Sequence, residues 1–198
     1  MRVNQIFEQD DPVFVEHHQI LRKIANECSV FLCDSQELPV FKALPETYKN
    51  IQKIKVRKHR QKTKFSQTFN EAFEDDVRDL RQRAIFTHNK ETPLAPDLDL
   101  FYVFPKNGFK FMYCTEVAQS NNDYQQVFDS LFEQFDDDKA EQMIHDLLKF
   151  TYVRKNLVEG IKKEVEVLFY NIPYYYAARV DMFEYKELLT DITGLSDN

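Results

Sequence analysis

Glycine is scarce in this sequence, with three in 198 residues. Neither G-x-G-x-x-G nor the P-loop pattern occurs, so the two Gly-rich loops that hold phosphate groups in nucleotide-binding proteins are excluded. Each glycine instead suits a backbone role. Gly108 follows Asn107 in a turn where a positive φ is needed, and Gly160 and Gly194 follow helical stretches that they are expected to end.

Cysteine is equally scarce, and tryptophan is absent. Cys28, Cys33 and Cys114 form neither a disulfide framework nor a C-x-x-C metal pair. The histidines lack the H-E-x-x-H spacing and the serines lack a nucleophile elbow, so neither a metal site nor a hydrolase triad is expected. Cys28 falls on the apolar face of a predicted helix, which indicates a buried free thiol.

Long hydrophobic runs are also missing. No apolar stretch approaches the length that spans a membrane, and the opening MRVNQIFEQDD has no apolar signal segment. We therefore expect a cytoplasmic protein of a reducing compartment, not secreted and without membrane contact.

What the sequence does contain suits one packed domain over residues 1–198. Hydrophobic residues make up 43% of the chain, and the 14% of aromatic residues are all Phe or Tyr, which predicts an aromatic core. Helical spacing is found over 11–31, 65–80, 124–135, 143–151 and 184–192. Strand patterns occupy 38–44, 53–57, 81–87, 100–105, 109–114, 164–171 and 174–180. Because the strands cluster rather than alternate with helices, the order predicts an α+β fold.

One pair of strands carries a specific pairing prediction. The runs LFYVFP (100–105) and FKFMYC (109–114) flank Lys106-Asn107-Gly108. Asn-Gly between two strand-like runs is the strongest short-range hairpin signal. We therefore expect these two strands to pair with each other.

Acidic residues are absent between Thr47 and Asn70, although the whole chain carries a net charge of −7. We call this stretch the basic segment 47–70; its basic residues are Lys49, Lys53, Lys55, Arg57, Lys58, Arg60, Lys62 and Lys64. Such a segment can bind a pyrophosphate, a nucleic-acid backbone or an acidic partner surface. It can equally be a solvated strand edge whose lysines prevent edge pairing. Few aromatic residues are interleaved, so base stacking is not favoured.

Two glutamates one residue apart, Glu164 and Glu166, begin the strand-like run EVEVLFYN. In a strand they share a face, while Val165 and Val167 take the other. Two like charges on one face repel, and this is tolerated at a strand end in solvent. The same pair suits a site in which one carboxylate holds a sugar hydroxyl and the other orients a nucleophile. Both interpretations remain open from the residues alone.

The run E-V-E-V-L-F followed by Y-Y-Y-A-A-R-V resembles the E-x-E strand of mono-ADP-ribosyltransferases of the Arg–Ser–Glu class. LPVFKALP (38–45) is similar to that family's first motif strand, and RQRAIFTHN (81–89) to its Ser-Thr-Ser strand. The chain is also similar in length to the small transferases that phages deliver to bacterial hosts. The resemblance covers 38–180 loosely, and it implies mixed, mainly antiparallel sheets with flanking helices.

The resemblance implies roles for several residues. Glu166 would be the catalytic glutamate that contacts NAD, the substrate, and Glu164 would face the acceptor. E-x-E rather than Q-x-E implies an arginine acceptor in a host protein. No metal is implied, and catalysis would rest on electrostatic stabilisation of an oxocarbenium-like transition state.

The remaining implied residues would hold NAD, and here the sequence departs from the family. Lys42 stands where the family has its NAD-binding arginine, and lysine lacks the bidentate fork of arginine. Thr87 closes Ile-Phe-Thr in place of Ser-Thr-Ser. The NAD-binding role then extends to Arg57, Arg60 and Arg83. These departures leave two functions open: a phage-type NAD-dependent transferase, or an inactive transferase-like fold that serves as a virion or protein-interaction component. Binding of nucleic acid through the basic segment 47–70 is a third.

Overall fold

The structure is a computed structural model that describes residues 12–56, 64–73, 79–88, 95–115, 120–163 and 165–195. Its helices are α1 Pro12–Glu27, α2 Ser29–Asp34, α3 Lys64–Ala72, α4 Leu80–Arg83, α5 Ser120–Gln134, α6 Asp137–Thr151, α7 Leu157–Lys162 and α8 Tyr185–Thr193. Its strands are β1 Phe41–Pro45, β2 Ile51–Lys55, β3 Ile85–Thr87, β4 Leu98–Pro105, β5 Lys110–Cys114, β6 Tyr152–Val153, β7 Val167–Tyr170 and β8 Tyr174–Arg179.

The strands form two sheets of four, in the orders β1-β4-β8-β2 and β3-β7-β5-β6. Every strand pair of the described residues is antiparallel. Helices and antiparallel sheets occur together without β-α-β units, which confirms the predicted α+β fold.

The chain divides into two compact units, each made of separate stretches of sequence. The first unit comprises Met1–Lys55, Asn89–Phe109 and Ile172–Asn198, and it holds the first sheet with α1, α2 and α8. The second unit comprises Val56–His88 and Lys110–Asn171, and it holds the second sheet with α3 to α7. The expectation of one domain over 1–198 stays a prediction.

The core of the first unit lies around its two central strands, β4 and β8. Phe101 to Pro105 are all buried, as expected of a strand covered on both faces. Phe104 and Tyr176 are fully buried, and each such side chain contributes about 1.5–3 kcal/mol through removal of apolar surface from water. Cys28, between α1 and α2, is a free thiol whose Sγ donates to the carbonyl of Phe104 at 3.4 Å, which confirms the predicted burial.

The core of the second unit is strongly aromatic, as the composition predicts. Phe69 of α3 and Phe73, directly after that helix, contact Tyr152 edge-on, with ring centroids 5.3 Å and 5.6 Å away. The other members of this core include Leu80, Ala84, Met112, Cys114, Tyr124, Phe128, Ile144, Leu148, Leu168 and Tyr170. α6 begins at an Asp136 N-cap that accepts from the amide of Lys139 at 3.0 Å.

The predicted hairpin is wrong, although its turn and both strands exist. Gly108 has φ +89°, and the Phe109 amide donates to the Lys106 carbonyl at 3.3 Å, so the chain does turn there. However, β4 pairs with β1 and β8, whereas β5 pairs with β7 and β6. Both strands therefore use their two edges for other partners, and the turn leads from one sheet to the other.

The strand predicted over 81–87 is also partly wrong, because Leu80–Arg83 is the helical turn α4. Asp79, at φ 58°, precedes this turn, and the amide of Arg81 donates to Asn70 Oδ1 at 2.8 Å. This hydrogen bond joins α4 to α3, and strand geometry begins only at Ile85. The apolar pattern of 81–87 could not predict this hydrogen bond, because it joins the segment to a residue of another helix.

Two glycine predictions also change. Gly160 lies inside α7 rather than after a helix, and an added Cβ would stand 2.7 Å from Cγ of Tyr113. Gly194 does follow α8, but with right-handed φ −63°. Gly160 is therefore required for close packing of α7 on β5, not for termination of a helix.

Candidate functional site

Glu166 lies directly before β7 and is only 6% exposed. β7 pairs with β3, with Thr87 opposite Val167. The Thr87 hydroxyl is fully buried and donates to the Val167 carbonyl at 2.9 Å. The fold therefore brings Thr87 next to the segment that carries Glu166. The Thr87 hydroxyl, however, is already hydrogen-bonded to a backbone carbonyl.

Arg81 is the cation that acts on Glu166, and the sequence reasoning did not single it out. It is 8% exposed, and its guanidinium lies 4.9 Å from the ring centroid of Phe86 and 5.4 Å from that of Phe69. Burial lowers the pKa of Arg81, while the charge of Glu166 and then Tyr152 act to raise it. We call Arg81, Glu166 and Thr87 the buried arginine–glutamate site.

Arg81 could have been selected if residues 80–83 had been predicted as a helix. In a strand, Arg81 and Arg83 would point to the same face, but two positions along a helix they point to nearly opposite sides. Arg83 accordingly is exposed, with its guanidinium 4.0 Å from the Asp79 carboxylate. Sequence reasoning chose Arg83, the arginine that faces solvent.

The other predicted site residues fall in separate places. Lys42 is half-buried in β1 of the first unit, opposite Phe101 of β4. Glu164, Arg57 and Arg60 lie outside the described residues. The strand that was expected to begin at 164 begins at Val167, so alternation along a strand does not set the direction of Glu166.

Part of the basic segment 47–70 has intramolecular contacts. Lys49 forms an ion pair with Glu16 at 2.7 Å. Lys53 lies over the ring of Tyr174, with Nζ 3.4 Å from the centroid. Residues 57–63 lie outside the described part of the chain. Binding of nucleic acid by this segment stays a prediction.

A pocket of about 550 Å³ opens in the second unit, and we call it the cationic pocket. It is lined by Ala72, Phe73, Lys149, Tyr152, Val153, Arg154 and Lys155. The guanidinium of Arg154 lies 5.3 Å from the ring centroid of Phe73. Among the described residues no carboxylate lines this pocket. Its charged lining residues are all cations and they lie beside two aromatic rings, so the pocket is suited to anions.

The described residues contain neither a metal-binding cluster nor a membrane-spanning helix. Histidine, cysteine and acidic side chains do not gather there in a group of three or more that could hold a metal ion. No helix in that part of the chain is long and apolar enough to cross a membrane.

Comparison with known proteins finds no relative: no family model, curated protein or solved structure matches this chain. The resemblance to mono-ADP-ribosyltransferases thus stays a prediction carried by its motif residues. The function has to be argued from the buried arginine–glutamate site and the surface of each unit.

Proposed function

We propose that this chain is a non-catalytic protein-interaction component, in which Glu166 belongs to the core of the second unit. One observation carries the proposal. Glu166 is 6% exposed and acts on the buried guanidinium of Arg81. A buried guanidinium requires a nearby charge of opposite sign, so loss of the Glu166 carboxylate would leave an uncompensated buried cation.

Catalysis on NAD would require a different environment around Glu166 and Thr87. The glutamate would have to reach a ribose hydroxyl within hydrogen-bond distance, which requires an open approach to its carboxylate. The Thr87 hydroxyl, implied as a second NAD contact, donates instead to the Val167 carbonyl. Both groups would have to leave their present surroundings before they could bind a sugar.

Exposed apolar side chains on α5 and α6 support an interaction role. Phe150 is 84% exposed, and Val127 and Met143 are 42% and 38% exposed. An exposed phenylalanine leaves its apolar surface in water, which is unfavourable. Aromatic side chains are frequent anchors of protein interfaces. We infer that at least part of this surface is covered in the working assembly.

The NAD-dependent transferase remains a second candidate because of one feature. The pairing of β3 with β7 sets Thr87 beside the segment of Glu166, in the order that the resemblance implies. Under this candidate, NAD would be the substrate and a host protein the acceptor.

Titration of the protein with NAD, combined with measurement of nicotinamide release, separates the two candidates. For the interaction component we expect no NAD cleavage above the protein-free rate. Glu166→Gln should lower the free energy of unfolding by about 3–5 kcal/mol, since the buried guanidinium loses its counter-charge. The exposed Glu133→Gln of α5 is the matched control and should change it by less than about 0.5 kcal/mol.

The opposite result is equally clear. Nicotinamide release by the wild type that Glu133→Gln retains and a folded Glu166→Gln loses would overturn the proposal and establish the transferase. An unfolding free energy unaffected by Glu166→Gln would remove the observation on which the proposal rests.

A further inference from the structure

We propose that the cationic pocket of the second unit binds an acidic segment of a partner protein that also presents an apolar side chain. This inference rests on the proposed interaction function and names the surface and the chemistry of the partner. The partner's carboxylates would pair with Lys149, Arg154 and Lys155. Its apolar side chain would pack on the floor made by Phe73 and Tyr152.

Charge is the first argument. Three cations line one pocket in a chain of net charge −7. Neither Lys149 nor Lys155 forms an ion pair with another described residue. Pockets lined by one sign of charge raise the local concentration of ligands of opposite sign. The acidic run 74–76 follows Phe73 in the sequence and lies outside the described residues.

The aromatic floor is the second argument. Phe73 and Tyr152 are each less than a tenth exposed and contact each other edge-on, so they form the base of the pocket. Half-buried Val153 adds apolar surface to the lining. Apolar lining beside cations favours a ligand that carries an apolar group next to its negative charges over a simple anion.

Phe150 is the third argument, and it favours a protein segment over a small molecule. It follows Lys149 directly in the last turn of α6 and is 84% exposed. Met143 precedes it by seven residues, about two helical turns, and so lies on the same side of α6. A small anion in the pocket would leave both side chains in water, whereas a bound segment that extends along α6 would cover them.

The test uses the full chain and a fluorescein-labelled peptide of sequence EDEFDED. Fluorescence anisotropy gives its affinity, and amide chemical shifts of Val153, Arg154 and Lys155 report the location. We expect saturable binding with a Kd on the order of 0.1 mM at low salt, weakened several-fold by 0.5 M salt. The peptides QNQFNQN and EDEGDED, which lack the charge and the aromatic ring respectively, should each bind at least tenfold more weakly.

Protein variants locate the contact. Arg154→Gln combined with Lys155→Gln should weaken binding of EDEFDED at least tenfold. Lys139→Gln is the matched control, because Lys139 is an exposed lysine at the opposite end of α6, about 15 Å along the helix from Lys149. It should leave the affinity unchanged. Thermal unfolding of each variant verifies that the fold is intact.

Several outcomes would overturn the inference. Equal affinity for EDEFDED and QNQFNQN would remove the role of charge, and equal affinity of the double variant would place the contact elsewhere. Shifts produced by inorganic phosphate but not by the peptide would indicate a small-anion site. Self-association through these residues would indicate a second copy as the occupant. NAD cleavage dependent on Glu166 would instead refute the proposed function whatever the peptide does, so the two failures are distinguishable.

Discussion

Glu27, the last residue of α1, accepts hydrogen bonds from two tyrosines of β8. Its Oε2 lies 2.7 Å from the hydroxyl of Tyr174 and 2.8 Å from that of Tyr176. Burial acts to raise the pKa of Glu27, but these two hydrogen bonds and the nearby lysines, Lys53 and Lys106, outweigh it, and the pKa is lowered. The ionised carboxylate therefore links α1 to the first sheet.

A residue-scale prediction follows for Glu27→Gln. A lowered pKa in the folded state means that the stabilisation is present above the ordinary value near 4.5 and is lost as pH falls through the folded value. At pH 7 we expect the variant to lose about 1–2 kcal/mol of unfolding free energy, since charge-assisted hydrogen bonds become neutral ones. Below pH 4.5 the difference from wild type should shrink. Urea unfolding from pH 3.5 to 7 measures this, and a difference independent of pH would contradict it.

Single residues also show how much of the structure and of the candidate site could be predicted from the sequence. Cys28 and Gly108 were predicted correctly because their environments depend on local pattern: an apolar helix face and an Asn-Gly turn. Arg81 was missed because its burial depends on α4 being helical, and this depends on the contact of its amide with Asn70, eleven residues away. A long-range hydrogen bond of this kind leaves no periodic trace in the sequence.

At the scale of elements, helices and strands were found more reliably than their pairing. β8 and α8 lie close to their predicted ranges, and α5 and α6 contain the helical residues predicted for them, since apolar periodicity reports directly which face is buried. The β4–β5 hairpin was wrong because each strand has both of its neighbours elsewhere: β4 lies between β1 and β8, and β5 lies between β7 and β6. The turn signal specifies a reversal of the chain, not the partner of either strand.

The turn itself has a further structural role that predicts the effect of Asn107→Ala. The Asn107 side chain accepts from the Val30 amide at 3.0 Å and donates to the Asn26 carbonyl at 3.2 Å and the Ser29 hydroxyl at 3.1 Å. These bonds hold the junction of α1 and α2. We expect the variant to lose about 1–2 kcal/mol in urea unfolding. Asn107→Asp keeps the acceptor for the Val30 amide but turns a carboxylate oxygen towards the Asn26 carbonyl, so it should lose at least as much as Asn107→Ala. No loss of unfolding free energy in Asn107→Ala would show that the junction holds without these hydrogen bonds.

At the scale of the whole molecule, the two units interleave along the sequence, so neither is a continuous segment that composition could have revealed. The motif strands follow the same division: Lys42 belongs to the first unit, and Thr87 and Glu166 belong to the second. The order of the motifs along the sequence agrees with the resemblance, but it does not reveal which sheet each strand joins. This is why the candidate site was predicted in part, through Thr87 and Glu166, and not in full.

Gly160→Ala tests whether the two units unfold independently. Helix propensity alone would make this change stabilising by about 1 kcal/mol. The added Cβ would instead meet the buried ring of Tyr113, so we expect a loss of about 1–3 kcal/mol. Lys162→Ala, at an exposed position of the same helix, is the control and should be nearly neutral.

Hydrogen exchange then reports where the stability is lost. If each unit is its own cooperative unit, amides of β5 and β7 should exchange faster in Gly160→Ala, while those of β4 and β8 keep their wild-type rates. The reason is that Tyr113 packs within the second unit, and the hydrogen bonds of the first sheet are made entirely within the first unit. Equal acceleration in all four strands would contradict this and would support the single domain over residues 1–198 that the sequence predicts. Acceleration confined to β4 and β8 would contradict the packing of α7 on β5 itself.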